Sequence, residues 1–146
     1  PGLTGQGKMS KSSGDADTIV FDEPADVIRK KIMRAKTDAG PTGANQPRSE
    51  ELQNLFDIMA LVSDAGTIAH FDAEHVKGTI RYGDLKKQLA EDVVTFIEPI
   101  TERINHYKKD TAALAKAAKL GAEKANESAQ KTLKEVREII GFKRFF

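Results

Sequence analysis

The chain has 146 residues, a net charge of +1 and no cysteine. This length is enough for one modest domain with its own core, and the lack of cysteine excludes disulfides and cysteine-ligated metal. The balanced charge argues against a nucleic-acid binder that works by bulk charge, and no apolar run approaches the roughly 20 residues of a membrane helix.

Residues 1–17 are rich in glycine and small polar residues, which predicts a loop. Within it lies the segment Lys8, Met9, Ser10, Lys11 and Ser12, which we call the signature segment. Its two lysines supply positive charge, its serines supply short hydroxyl donors, and the preceding glycines let the backbone approach a ligand closely. This combination favours a mobile loop that holds phosphate.

The β-branched and aromatic run Thr18–Phe21 predicts a short strand that needs a partner strand from elsewhere. A helix is expected from about Pro24 to Lys36, because proline and carboxylates suit a helix start. Its inner face should carry Ile28, Ile32 and Ala35. Glycine and proline in residues 38–48 then predict a long loop or linker.

Ser49 should cap a second helix with an apolar stripe. The stripe consists of Leu52, Leu55, Phe56, Met59 and Val62. Residues 67–76 predict a short helix with Ile68, Phe71 and Val76 facing inward, ended at Gly78.

A longer helix is expected from Asp84, and Pro99 inside it should produce a kink. Its apolar residues are Leu85, Leu89, Val93, Phe96, Ile100, Ile104 and Tyr107. Asp110 should cap a last helix that reaches about Ile140 and stops at Gly141. The side expected to be buried contains Leu114, Ala117, Gly121, Ala125, Ser128, Leu133, Val136 and Ile140.

The signature segment resembles the Lys-Met-Ser-Lys-Ser motif of class I aminoacyl-tRNA synthetases. The likeness continues in family order, most closely to the bacterial tryptophanyl-tRNA synthetases. The matching segments are Thr18–Asp22, Ile28–Ile32, Ala35–Asp38, Tyr82–Lys87, Phe96–Ile100 and Gly121–Ala125. The family's His-Ile-Gly-His motif does not occur, so we expect a C-terminal fragment that is inactive alone.

The resemblance implies a mainly α-helical fold: a bundle with a kinked long helix, preceded by a mobile loop and one strand from a missing Rossmann-like domain. Residues 1–48 would hold the signature loop and the edge of the catalytic domain, and residues 49–146 the anticodon-binding helices. Lys8 and Lys11 would be catalytic, and all five residues of the signature segment would bind ATP. Mg²⁺ would arrive with ATP, with no metal held by the protein.

The implied partners are tRNA(Trp), ATP and tryptophan, in a cytoplasmic parent enzyme that is a homodimer and has no membrane association. No base-reading residue can be assigned. Three residues are weak candidates for contacts to RNA bases, but each also fits an ordinary helix boundary or surface: Arg81, Tyr82 and Arg103. Asp15 and Asp17 occur where many relatives carry asparagine, and solvent exposure is the simplest expectation for both.

Two alternatives remain at this point. The first is a tyrosyl-tRNA synthetase fragment, which shares the fold and the type of signature. The second is a non-catalytic helical module that binds RNA or a protein, since amphipathic helices alone say nothing of chemistry. Protein-bound metal is not expected, because His70, His75 and His106 lack a zinc-site spacing.

Overall fold

The computed structural model describes residues 2–4, 8–10, 12 and 14–142. A short 3-10 turn at Asp15–Asp17 precedes five helices in this part of the chain. These are α1 (Ala25–Arg34), α2 (Glu50–Val62), α3 (Ala65–Lys77), α4 (Tyr82–Lys109) and α5 (Thr111–Ile139). The chain divides into two compact units, Pro1–Arg103 and Ile104–Phe146. The predicted mainly helical architecture is confirmed, whereas the functional boundary predicted after residue 48 stays a prediction.

The core of the first unit is built from the apolar faces that the sequence predicted. Ile28 and Ile32 of α1 are buried, as is Ala35 directly after the helix, and the α2 stripe from Leu52 to Met59 is buried with them. Leu3, from the start of the chain, joins the same cluster with 1% exposure. The core therefore fixes the base of the loop that contains the signature segment.

The strand predicted at Thr18–Phe21 is absent, and no strand occurs among the described residues. Thr18 has extended backbone angles. The carbonyl groups of Thr18 and Phe21, however, accept hydrogen bonds from side chains and not from a second strand. The Thr18 carbonyl accepts a hydrogen bond from Lys31 Nζ, and the Phe21 carbonyl accepts one from Thr101 Oγ1. β-branched residues favour extended backbone, but a strand also needs a partner ladder.

A lysine from α4 secures the C-terminal end of α1. Lys86 Nζ donates to the Ala35 carbonyl at 2.7 Å and to Thr37 Oγ1 at 3.3 Å. A cation at this position complements the negative end of the helix dipole and binds a carbonyl that the helix leaves unpaired. Burial lowers the pKa of Lys86.

The loop between α1 and α2 is bonded to the helices around it. Ser49 caps α2 by accepting from the Leu52 N–H, as predicted, and Asn45 N–H donates to the Val76 carbonyl at 2.8 Å. Arg48 places its guanidinium 3.6 Å from the centre of the Phe56 ring. These contacts hold residues 45–49 against α2 and α3.

In α3 and α4, three residues of the predicted apolar faces are exposed: Val76, Phe96 and Tyr107. Val76 is 45% exposed, and His75 is buried in its place with Nε2 3.1 Å from the Gln46 carbonyl. In α4, Phe96 is 49% exposed and Ile97 is buried. The buried residues of α4 continue at four-residue steps from Leu89 through Val93 to Ile97, which places Phe96 outside the contact.

The second unit contains α5, which Asp110 caps as predicted by accepting from the Ala113 N–H. The predicted end is also confirmed: Gly141 has φ 72° and Phe142 N–H donates to the Arg137 carbonyl. The predicted buried side is wrong, because no residue of α5 is buried. An amphipathic pattern shows which side of a helix is apolar, but it does not supply a neighbour to cover that side.

Candidate phosphate-binding loop

The two ends of the signature loop are joined where the chain enters and leaves it. Leu3 N–H donates to the Asp17 carbonyl at 3.2 Å, and Lys36 N–H donates to the Leu3 carbonyl at 2.9 Å. From α2, Asn54 Nδ2 donates to the Gly2 carbonyl at 2.9 Å in a buried position. The loop therefore starts and ends at a fixed point on the helical core.

Asp17 closes the loop with its side chain as well as its backbone. Its carboxylate accepts from both the N–H and the hydroxyl of Thr4, each at 2.7 Å. These bonds, first that from the backbone and then that from the hydroxyl, lower the pKa of Asp17. A Cβ on Gly2 would lie 2.0 Å from the same carboxylate, so only glycine fits there. The expectation that Asp17 faces solvent is wrong, since it is 4% exposed.

The neighbouring residue, Thr18, reaches into the signature segment. Its Oγ1 accepts from Ser10 N–H at 3.2 Å and donates to the Ser10 carbonyl at 3.0 Å. We call this pair of bonds the Thr18 clasp. One hydroxyl thus satisfies both backbone polar groups of Ser10. The Ser10 side chain then lies 2.7 Å from Ser12 Oγ, and Ser12 N–H donates to Ser10 Oγ at 3.3 Å.

The described residues of the signature segment divide by exposure. Lys8 and Ser12 are exposed, whereas Met9 and Ser10 are half-buried. Met9 packs against the core and lines a cavity of about 320 Å³ together with Ile58 and Leu61 of α2. Lys11, the second predicted catalytic lysine, lies outside the described residues. The structure thus presents Lys8 to solvent directly before two residues that are held, Met9 by packing and Ser10 by hydrogen bonds.

A buried lysine supports the clasp from below. Lys31 of α1, 6% exposed, donates through Nζ to the Thr18 carbonyl at 3.1 Å and also to Glu23 Oε1. The hydrogen bonds therefore run from α1 through Thr18 to Ser10. Sequence reasoning missed Asp17, Thr18 and Lys31 as parts of the site. Lys31 offered a signal, because it stands one residue before Ile32 on the predicted buried face of an otherwise charged helix.

The three candidates for RNA contact differ in exposure. Arg81 and Arg103 are exposed. Tyr82 packs against the core, and its hydroxyl donates to Asp38 Oδ1 at 2.7 Å. Burial and then the bond to Asp38 raise the pKa of Tyr82. Tyr82 therefore joins the start of α4 to the loop after α1.

No three His, Asp or Glu side chains within the described ranges cluster in a way that could hold a metal ion. His70 lies 3.8 Å from Glu74 on the same helix, and His75 has the Gln46 contact already described. Over the same described residues, no helix is both long and apolar enough to span a bilayer.

Comparisons with known proteins bear directly on this loop. The model of the family "tRNA synthetases class I (W and Y)" matches residues 1–98. The tryptophan–tRNA ligase of Porphyromonas gingivalis is 50% identical over 143 residues, which make up 98% of this chain and 43% of that protein. The enzyme of the same name from Clostridium longisporum is 36% identical over an alignment of 146 positions, which covers 99% of this chain and 42% of that protein.

A solved structure shows the same likeness in three dimensions. The crystal structure of tryptophanyl-tRNA synthetase from Campylobacter jejuni, complexed with ADP and tryptophan, matches with a TM-score of 0.73 and 28% identity. The match covers 97% of this chain and 43% of that one. This chain therefore spans less than half the length of the relatives that it matches.

Proposed function

The chain belongs to the class I tRNA synthetases of the tryptophan and tyrosine family, and from this we propose that it forms the C-terminal part of a tryptophan–tRNA ligase. The observation that carries the proposal is the agreement of two independent features. The backbone of the signature segment is hydrogen-bonded at Ser10 by Thr18, and relatives named for tryptophan match the chain over almost its whole length. The tyrosine alternative is not favoured by these relatives.

In the proposed reaction, the carboxylate of tryptophan attacks the α-phosphate of ATP. A bond forms between carboxylate oxygen and phosphorus, and the bond from phosphorus to the bridging oxygen of the leaving pyrophosphate breaks. The terminal ribose hydroxyl of tRNA(Trp) then loses its proton and attacks the carbonyl carbon of the adenylate, an ester bond forms, and AMP leaves as the bond from that carbon to the phosphate oxygen breaks. Negative charge grows on the phosphates during the first step, and cations placed there stabilise the transition state more than the ground state.

Lys8 and Lys11 are the proposed cations for this step. Lys8 is exposed and belongs to a segment whose next residues, Met9 and Ser10, are packed and hydrogen-bonded. A lysine ammonium is a compact charge on a flexible stem, so a fixed backbone beneath it narrows the volume that the charge can reach. Ser10 and Ser12 supply hydroxyl groups next to that charge.

The remaining assignments of the proposal follow from the family. Helices from Ser49 onward recognise the anticodon of tRNA(Trp), and Mg²⁺ comes with ATP, bound through its phosphates. The complete enzyme is a cytoplasmic homodimer, and the 146-residue chain alone does not activate tryptophan.

Substrate-dependent exchange of pyrophosphate into ATP tests the proposal. The intact protein is assayed with tryptophan, with tyrosine and with neither, beside the 146-residue chain under the same conditions. We expect exchange only from the intact protein with tryptophan. Exchange with tyrosine alone would establish the tyrosyl alternative. No exchange with either amino acid, combined with specific binding of RNA, would favour the non-catalytic helical module.

A further inference from the structure

Thr18 is the one described residue whose side chain bonds both backbone groups of a signature residue. The Ser10 N–H and carbonyl lie 3.2 Å and 3.0 Å from the same Thr18 oxygen. A hydroxyl can donate and accept at once, which neither valine nor alanine can do. The side chain is half-buried and its hydroxyl bonds the Ser10 backbone, so this hydroxyl can hold that backbone in place without itself binding a ligand.

The support behind Thr18 is largely buried and hydrogen-bonded. Its carbonyl accepts from Lys31 Nζ, and Lys31 and Glu23 form a pair whose side chains are only 7% and 16% exposed. On the other side of Thr18, the Asp17 backbone and carboxylate hold Leu3 and Thr4. The adjacent residues Asp17 and Thr18 therefore connect the loop to the core at two places, Asp17 at the base of the loop and Thr18 at Ser10.

We propose that Thr18 is a positioning residue, whose clasp on Ser10 sets where the signature lysines stand relative to the ATP phosphates. This inference rests on the proposed function and adds a residue outside the signature segment to it. Losing the clasp frees the Ser10 backbone but removes no charge. The chemical step then slows because the lysines spend less time in the productive arrangement.

The test compares Thr18→Val, which removes the hydroxyl with little change in shape, with Thr18→Ser, which keeps it. In the intact protein, Thr18→Val should lower kcat for tryptophan-dependent exchange about ten-fold, with KM for tryptophan unchanged, and Thr18→Ser should restore it. Thr79→Val is the matched control, because the Thr79 hydroxyl bonds the Glu74 carbonyl at the end of α3 instead.

A second readout does not depend on activity. Amide hydrogen exchange of the 146-residue chain should show faster exchange at Ser10 in Thr18→Val, with the amides of α2 unchanged. If Thr18→Val also raises amide hydrogen exchange in α2, the same measurement is made on Thr18→Ala, which removes the hydroxyl without adding a methyl group.

The outcomes separate the two proposals. Two results would overturn the role of Thr18. One is an unchanged rate of amide hydrogen exchange at Ser10 in Thr18→Val and Thr18→Ala. The other is a kcat for pyrophosphate exchange in Thr18→Ser that is as low as in Thr18→Val. An intact protein without tryptophan-dependent exchange, but with a Ser10 amide that Thr18 protects, would overturn the proposed function instead. In that case the clasp would be a structural device only, and the positioning role would fall with the function.

Discussion

Lys31 and Glu23 form a buried ion pair beneath the signature loop. Only 7% of the lysine side chain and 16% of the glutamate side chain are exposed, and the ammonium also donates to the Thr18 carbonyl. Glu23 Oε2 is buried and has no hydrogen-bond partner among the described residues. Removing one charge of such a pair destabilises a protein more than replacing both residues by apolar ones, because the remaining charge stays buried without a partner.

Replacing the lysine should therefore destabilise the chain strongly. We expect Lys31→Met to lower the free energy of unfolding by about 3 kcal/mol, since Glu23 loses its partner. Lys30→Met is the matched control, because Lys30 is 68% exposed and pairs with Asp26 at the surface, where such pairs are worth about 1 kcal/mol or less. Urea unfolding followed by circular dichroism measures both. Equal losses would show that the Lys31 pair does not form in solution.

The lowered pKa of Asp17 predicts a contribution to stability that depends on pH. In the folded chain its pKa lies below the ordinary value of 3.8, so the unfolded chain takes up the proton at higher pH. The stabilisation is therefore complete well above pH 3.8 and is lost as the pH falls through that value toward the folded pKa. The wild type should exceed Asp17→Asn in unfolding free energy near neutral pH, and this difference should shrink on acidification.

Unfolding in urea at a series of pH values gives that difference directly. Thr4→Val removes one of the bonds that lower the Asp17 pKa, so it should weaken the dependence without abolishing it. A difference between wild type and Asp17→Asn that stays constant from neutral pH into the acid range would contradict the observed carboxylate bonds.

Replacement by alanine should have different effects on stability at two glycines, one at the end of α3 and one in the first turn of α4. Gly78 has φ 72°, and a Cβ there would meet the Gly43 carbonyl oxygen at 2.7 Å, so Gly78→Ala should lower the melting temperature. Gly83 lies in the first turn of α4 with open space around it, so Gly83→Ala should be neutral or raise stability by up to about 1 kcal/mol. Differential scanning calorimetry decides this, and a harmless Gly78→Ala would refute the tight passage between residues 43 and 78.

Leucines of α4 and α5 should differ in what they contribute. Leu89 is fully buried, so Leu89→Ala should cost about 3 kcal/mol, whereas Leu120 is 52% exposed and Leu120→Ala should change stability by no more than about 0.5 kcal/mol. Chemical unfolding of the 146-residue chain measures both costs. A large loss at Leu120 would show that this side chain is covered in solution.

The sequence predicted well wherever local chemistry decides the structure. Ser49 and Asp110 were identified as caps because a short oxygen-bearing side chain before an apolar pattern is sufficient for that role. The faces of α1 and α2 followed from periodicity. The prediction weakened for α4, where Phe96 and Ile97 are adjacent apolar residues and only the packed structure chooses between them.

The support of the signature loop could not be predicted in the same way. The bonds from Thr18 to Ser10 and from Asn54 to Gly2 join residues whose relation appears only when the chain is folded. Asp17 was expected to face solvent because carboxylates usually do, and its burial follows from the Thr4 groups that surround it. The signature itself was recognisable from its residues, and its scaffold was not.

The most direct test of the central claim is the rate of tryptophan-dependent pyrophosphate exchange by the intact protein after removal of the signature charges. We expect Lys8→Ala and Lys11→Ala each to lower kcat by about 100-fold or more while folding is retained, with Lys30→Ala as a control that keeps wild-type activity. Exchange by both signature variants within about two-fold of the wild type would contradict the assignment of these lysines to the departing pyrophosphate.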